Sequence, residues 1–425
     1  MTNDTAIAVG VEAAAPPTRA PERSSLLRRL RRQLPAWSPV APVTIARTAL
    51  GFGISDARAR LSELLCREYS ASASVLTDSG TQALQLALEL AWCARGRKGA
   101  VALPAFACFD LATAAVGAGV PVSFFDVEPT TLAPDLDSVE MALRHGASVV
   151  VVAPLYGMPP PWDELEELAE RFGAILIEDA AQGHGGRWRG RPLGSLGSLS
   201  VLSFGRGKGW TGGGGGALLL RGELPQAMPT LQPAVVGQDV KSIVSLLAQW
   251  LCGRPEIYGL PASLPFLRLG ETVYRDPVAP RSIGRAAANL ALEHHALAAA
   301  SASRRKVTAT KWRSLLDASS VLQPIDCTPA GEAGYLRFPA LDRWGLFVDC
   351  AHCKSAGIMP SYQQVLPDLP VFDGLHPVGP RNWPGARLLT RSLVTLPTHE
   401  RITATDEAEI AFLLTSRSTG NQCKP

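Results

Sequence analysis

From residue 73 to 221 the sequence alternates short apolar runs with helix-period patterns, and this alternation leaves few architectures open. Apolar runs at 100–103, 120–125, 148–155, 174–178, 199–204 and 217–220 predict strands. Most lack a polar residue at every second position, as strands covered on both faces do. Residues 81–94, 109–118, 136–145 and 161–172 carry helical periodicity between them. Parallel strands need crossovers, and helices supply them. The expected fold class is therefore α/β, a large domain with a mostly parallel sheet flanked by helices. At 425 residues and 46% hydrophobic, the chain can bury that core and a smaller second domain.

Residues 222–280 break the alternation. They hold an apolar stretch, 242–252, and a Pro-rich apolar segment, 260–267. We read them as an insertion carrying one apolar helix, either a protein–protein interface or a cover for the core, with membrane-surface contact as the alternative. Residues 283–316 read as a long helix leading to a smaller α/β lobe. The expected organisation is 1–35, a disordered N-terminus and a basic helix at 26–34; 36–221, the large domain; 222–280, the insertion; 281–316, the linking helix; 317–416, the small domain; and 417–425, a tail. The basic helix, with Arg28, Arg29, Arg31 and Arg32, is a solvated surface element or a contact for anionic lipid or a partner.

The 41 basic residues nearly balance 38 acidic ones, so affinity for anions must be local and nucleic acid is not an expected partner. Eight scattered cysteines read as reduced thiols of a cytoplasmic protein. Cys350-Ala351-His352-Cys353 has no second ligand pair at zinc spacing, and a partly buried helix is the expectation there, with no metal.

Strand ends in such sheets face the ligand. Asp179 closes the run Ile175-Leu176-Ile177-Glu178, and Ser203 closes another. Five residues beyond Ser203 stands Lys208, followed after Gly209-Trp210-Thr211 by five glycines. Small neighbours permit close approach of backbone to a cofactor. A lysine that bonds covalently to pyridoxal phosphate (PLP), with a carboxylate pairing the pyridinium nitrogen, uses both features. Thr77-Asp78-Ser79-Gly80-Thr81 precedes a helix and offers backbone N–H groups to a phosphate, although a simple N-cap explains it equally. Asp179 as a capping or ion-paired residue is likewise open. Gln182, one turn beyond, is placed to reach the ring hydroxyl, His184 to lie behind it, and Ser203 to bind the phosphate.

SGTQAL, EDAAQGHGG, GSLGSLSVLSF and SFGRGK with its glycine run stand in order and at matching separations. Together they resemble the DegT/StrS family of PLP-dependent sugar aminotransferases, of fold type I, over residues 75–414. The segments around Arg281, Arg304-Arg305, Tyr362 and His399 are similar to later signatures of that family. The resemblance implies that Lys208 carries PLP and shuttles the proton, Asp179 pairs the ring nitrogen, Gln182 meets the ring hydroxyl, and Gly80, Thr81 and Ser203 hold the phosphate. It implies a homodimer that shares its sites. It also implies an amino donor, glutamate, and a keto substrate, a nucleotide-linked deoxysugar. Some positions depart from the pattern. Cys108 occupies the place of the ring-stacking aromatic, which leaves that role to Phe106 or Phe109. Ala279 stands near the place of an asparagine lent to the partner's phosphate. Ser361 stands where a histidine is common near the sugar. The alternatives are a non-sugar or lipid-linked keto substrate, or a non-enzymatic regulator that keeps the fold and PLP.

Overall fold

The computed structural model describes residues 31–222, 231–263, 272–319, 321–373 and 382–416. The expected disordered start, most of the basic helix, residues 264–267 of the apolar segment and the tail lie outside these.

Helices α1 (Pro42–Ala49) and α2 (Ala57–Glu68) precede strand β1 (Ala73–Thr77). Then follow α3 (Gly80–Ala94), β2 (Ala100–Pro104), α4 (Asp110–Ala118), β3 (Val122–Phe125), α5 (Leu136–Arg144), β4 (Ala147–Val152), α6 (Trp162–Phe172) and β5 (Ile175–Asp179). A short hairpin, β6 (Arg187–Trp188) and β7 (Arg191–Pro192), leads to β8 (Leu199–Ser203) and β9 (Gly216–Leu220). Seven strands form one sheet in the order β1-β9-β8-β5-β4-β2-β3. The run from β8 to β3 is parallel, and β9 lies antiparallel between β8 and β1.

The β-branched run of β4 shows why this sheet is covered on both faces. Val149 and Val151 pack with Leu84 and Leu88 of α3, whereas Val150 and Val152 pack with Trp162 and Leu165 of α6. Helix α6 has Asp163 and Glu164 in its first turn and Arg171 in its last, in line with its dipole, and Gly173 ends it at φ 62°. The helices expected at 81–94, 109–118, 136–145 and 161–172 are present within a residue or so at each end. Strand β1 was not expected: its Ser and Thr positions and half-covered face give a weak apolar signal.

Two helices stand in the insertion, α7 (Gln238–Cys252) and α8 (Pro255–Ala262), where one was expected. Pro255 starts α8 at a position where its missing N–H costs nothing. The long helix α9 (Arg285–Ser319) leads to a four-stranded sheet, β10 (Gln323–Pro324), β12 (Phe338–Leu341), β14 (Leu393–Leu396) and β13 (Met359–Pro360), while β11 (Gly331–Glu332) pairs with β6. Helices α10 (Ala351–Ser355), α11 (Pro384–Ser392) and α12 (Ala404–Ser416) complete this part, around Trp312, Phe338, Ile358, Leu396 and Ile410.

Two expectations are corrected. Residues 31–34, the described end of the basic helix, are not helical. The Arg32 and Gln33 N–H groups donate to the Pro255 and Ser355 carbonyls, and Arg31 pairs with Asp406 at 2.5 Å and Glu256 at 2.6 Å. Backbone donors spent on other elements cannot build a helix. Cys350 and Cys353 are joined as a disulfide rather than reduced, because one turn at the start of α10 brings their Cα atoms to 5.2 Å. Among the described residues no helix is long and apolar enough to cross a membrane.

Candidate active site

The carboxyl ends of the parallel strands open on a cleft of about 470 Å³, lined by Gly80, Thr81, Cys108, Asp110, Asp179, Gln182, Ser203 and Lys208 among others. Residues separated by up to 128 positions (80 to 208) thus meet where an open α/β sheet places its ligand.

Ser79 caps α3 by accepting the N–H of Gln82 at 3.2 Å, so the first turn presents its remaining N–H groups to the cleft. Gly80 lies against Ser203. A Cβ at Gly80 would stand 2.7 Å from the Ser203 Cβ and 2.9 Å from its Oγ. The turn is tied from below: Gln238 of α7 donates to Asp78 at 2.5 Å, and the Arg281 N–H donates to Gln82 Oε1 at 2.9 Å. The insertion therefore buttresses this turn. Gly80→Ala should keep the fold and weaken PLP binding by about tenfold or more, read by fluorescence titration of the PLP-free chain. Unchanged affinity would remove Gly80 from the phosphate cradle.

Asp179 Oδ1 accepts the Ala181 N–H at 3.2 Å. Burial pushes its carboxyl up to about 6, Lys208 and the Ala181 N–H pull it down, and Asp110 adds to the rise. Its neighbour Glu178 is fully buried and serves another purpose. It accepts from the Gly194 and Leu196 N–H groups at 2.6 and 2.9 Å and from Ser200 Oγ at 3.1 Å, fixing the chain before β8. Lys208 sits between Gly207 (φ 71°) and Gly209 (φ 80°), a left-handed pair that β-carbons would strain. The Gly209 N–H donates to Ser38 Oγ at 3.1 Å.

Gln182 lines the cleft, but its amide is engaged on both sides. Oε1 accepts the Tyr156 N–H at 3.0 Å and Nε2 donates to Tyr362 Oη at 2.8 Å. Tyr156, at φ 55°, bonds Ser361 through its hydroxyl. A tyrosine in the left-handed region carries backbone strain, and the Gln182 and Ser361 contacts hold it there. Phe106 and Phe109 do not reach the cleft wall. They pack on Tyr362 with ring centroids at 5.4 and 6.5 Å, and Cys108 takes the wall instead. Its thiol donates to Asp110 at 3.4 Å and is pushed up to about 12, first by burial and then by Asp110. His184 is half-buried and does not line the cleft, its ring 5.7 Å from Trp210. Asp110, which lines the cleft, and Tyr156 and Tyr362, which hold the Gln182 amide, were not singled out from the sequence for these places. The acidic residue at the start of α4 was a readable signal, whereas nothing in the sequence marks the φ of Tyr156.

These residues fit PLP. The Gly80–Ser203 contact is a cradle that a single Cβ would fill, Asp179 keeps Oδ2 free of any described protein partner, and Lys208 shares the cleft with both. Gly80, Thr81 and Ser203 would hold the phosphate, Asp179 the ring nitrogen and Lys208 the aldehyde carbon.

Residues 56–239 match the DegT/DnrJ/EryC1/StrS aminotransferase family. The chain is similar to an L-glutamine:2-deoxy-scyllo-inosose aminotransferase of Streptomyces kanamyceticus, 34% identical over 39% of each chain. It is 38% identical to a dTDP-3-amino-3,4,6-trideoxy-alpha-D-glucose transaminase of Streptomyces venezuelae, over 37% of this chain and 42% of that one. The likeness thus spans about two fifths of the length of these curated relatives. In fold the chain is similar to a putative sugar aminotransferase from Streptococcus pneumoniae solved in its PLP form, with TM-score 0.67 and 18% identity over 91% of this chain and 98% of that one. The stretch that carries Gly80, Asp179, Ser203 and Lys208 is thus the part of the chain that is similar to the DegT/DnrJ/EryC1/StrS aminotransferase family, whose cofactor is pyridoxal phosphate.

Proposed function

We propose that the chain is a PLP-dependent aminotransferase that moves an amino group from an amino-acid donor to a keto group on a sugar or cyclitol, with a nucleotide-linked deoxysugar as the substrate. The observation that carries this reading is the convergence of Lys208, Asp179 and the Gly80–Ser203 cradle on one cleft. PLP bound there supplies an electron-poor ring that acidifies the C–H beside the amino nitrogen. Asp179, as a carboxylate, keeps the ring nitrogen protonated. Lys208 Nζ takes the donor's α-proton and returns a proton to the keto carbon in the second half of the cycle. Glutamate is the donor we infer, and the relatives named for L-glutamine make that amide the second donor to try.

The test is a half-reaction. Mixing the PLP-loaded chain with L-glutamate or L-glutamine should convert its absorption to that of pyridoxamine phosphate. A spectrum unmoved by either donor, with PLP bound, would leave a regulator that merely keeps the cofactor.

We infer a homodimer as well. Val240, Val244, Leu247 and Leu251 of α7 are 62%, 56%, 42% and 42% exposed and fall on one face at helical spacing. Such a stripe is rarely left to water. Light scattering should give about twice the chain mass, and Val244→Glu with Leu247→Glu should shift it towards monomer. A fully active wild-type monomer would contradict the dimer. Binding to anionic vesicles through the same face would instead support a lipid surface as its occupant.

A further inference from the structure

The two cysteines of the Cys350–Cys353 disulfide stand in different surroundings. Cys350 is half-buried, whereas Cys353 is wholly buried in the cluster of Trp312, Phe338 and Ile358. An attacking thiolate therefore reaches the Cys350 sulfur, and Cys353 is the sulfur that leaves. The Cys353 N–H donates to Cys350 Sγ at 3.1 Å, a contact that favours the charge of a Cys350 thiolate once the bond is open. Only Ala351 and His352 separate the two cysteines. A bridge over so short a loop constrains the unfolded chain little, so global stability is a weak reason for it.

Its reach is local, and it extends to the cleft. Helix α10 has five residues, too few to hold a helix by their own hydrogen bonds. The disulfide pins its first turn, and His352 Nε2 lies 3.0 Å from Glu409 Oε1 of α12. The far end of α10 supports two pieces of the site. The Ser355 carbonyl accepts the Gln33 N–H at 2.8 Å, and five residues beyond Gln33, Ser38 Oγ accepts the N–H of Gly209, next to Lys208, at 3.1 Å. The Ile358 N–H donates to the Cys353 carbonyl at 2.9 Å, and the chain then runs through β13 into Ser361 and Tyr362. Ser361 bonds the Tyr156 hydroxyl, and Tyr362 Oη accepts from Gln182, which lines the cleft.

We propose that Cys350–Cys353 is a redox-active site that exchanges with a dithiol reductant, and that its state sets the order of the Ser361–Tyr362 wall. A thiolate of the dithiol attacks Cys350 Sγ, the bond to Cys353 breaks, and Cys353 leaves as a thiolate that takes up a proton. The second thiolate of the reductant then attacks its own sulfur in the mixed disulfide and releases Cys350. Two electrons and two protons pass to the chain, and the reductant leaves as a cyclic disulfide. Oxidation by a disulfide reverses these steps. The short turn keeps the two sulfurs adjacent, so the bond can close again without refolding. The site rests on the aminotransferase reading only for what the wall faces.

Dithiothreitol is the probe, applied without denaturant to the full chain loaded with PLP. Alkylation and mass spectrometry of the peptide that holds 350–353 should show the bridge opened by reduced dithiothreitol and closed again by the oxidised form, with circular dichroism unchanged. A nitrobenzoate disulfide should leave a stable mixed disulfide on Cys350 in Cys353→Ser, whereas in the reduced wild type Cys353 should displace it. If that variant does not fold, limiting alkylation of the reduced wild type should mark Cys350 before Cys353, and the reverse order would overturn the proposed direction of attack. Amide hydrogen exchange over 355–362 should quicken by about fivefold or more on reduction, with α6 unchanged. A bridge that resists dithiothreitol until the chain unfolds would be structural only and would sink the proposal. So would a bridge that opens with no change of exchange over 355–362. None of these measurements needs turnover, so a failed half-reaction would strike the aminotransferase reading and leave the redox site standing.

Discussion

Replacing Lys208 with alanine should lower amino transfer by at least about 10³-fold, while the chain should keep its fold and still bind PLP without a covalent bond. The basis is the division of labour in the cleft. The Gly80–Ser203 cradle and the free Oδ2 of Asp179 do not depend on the lysine, which stands on its own turn between two left-handed glycines. On the proposed roles, removing Nζ would take away the covalent tether and the proton carrier but leave the anchors. Borohydride reduction of the wild-type holoprotein followed by peptide mapping should place the label on Lys208 alone. A label on another lysine, or turnover surviving in the alanine variant, would refute the assignment.

Asp179→Asn separates function from stability in opposite directions. Turnover should fall on the order of 10²–10³-fold, because a ring nitrogen without a carboxylate partner is a weaker electron sink. Stability of the PLP-free chain should rise at neutral pH. Burial lifts the Asp179 carboxyl to about 6 in the folded chain, above its ordinary value of 3.8. Between these two values the unfolded chain loses its proton while the folded chain keeps it, so folding weakens as pH rises through that window. Above pH 6 the deficit is constant, on the order of 2–3 kcal/mol, and below about pH 4 it vanishes. The asparagine has no such titration. Denaturation of the PLP-free proteins at pH 7 and pH 4 should show the variant more stable at pH 7, with the gap closing at pH 4. A variant less stable than wild type at both values, or one with near wild-type turnover, would contradict this account.

The large domain was legible because its signals are local. Val149–Val152 can be buried on both faces in a covered parallel strand, Asp179 and Ser203 follow from where such strands end, and the Gly80 turn follows from the helix it precedes. Motif order then tied Lys208 to them. Strand β1 escaped notice because its Ser and Thr positions carry little apolar signal, and α8 because Pro255 and Pro261 read as helix breakers.

By itself, then, the sequence determined the α/β class, the strand and helix order, and which residues stand at strand ends. Each of these depends on periodicity or on neighbours within one element. Tertiary structure decided what those residues touch. It spent both sides of the Gln182 amide on Tyr156 and Tyr362, turned Phe106 and Phe109 onto Tyr362, and left Cys108 in the cleft wall. It converted the end of the expected basic helix into a docked extended segment and joined Cys350 to Cys353. Each of these outcomes is a competition for partners between segments far apart in the chain. A side chain's local pattern fixes the face it stands on, but the element that arrives against that face is set by the packing of the whole fold.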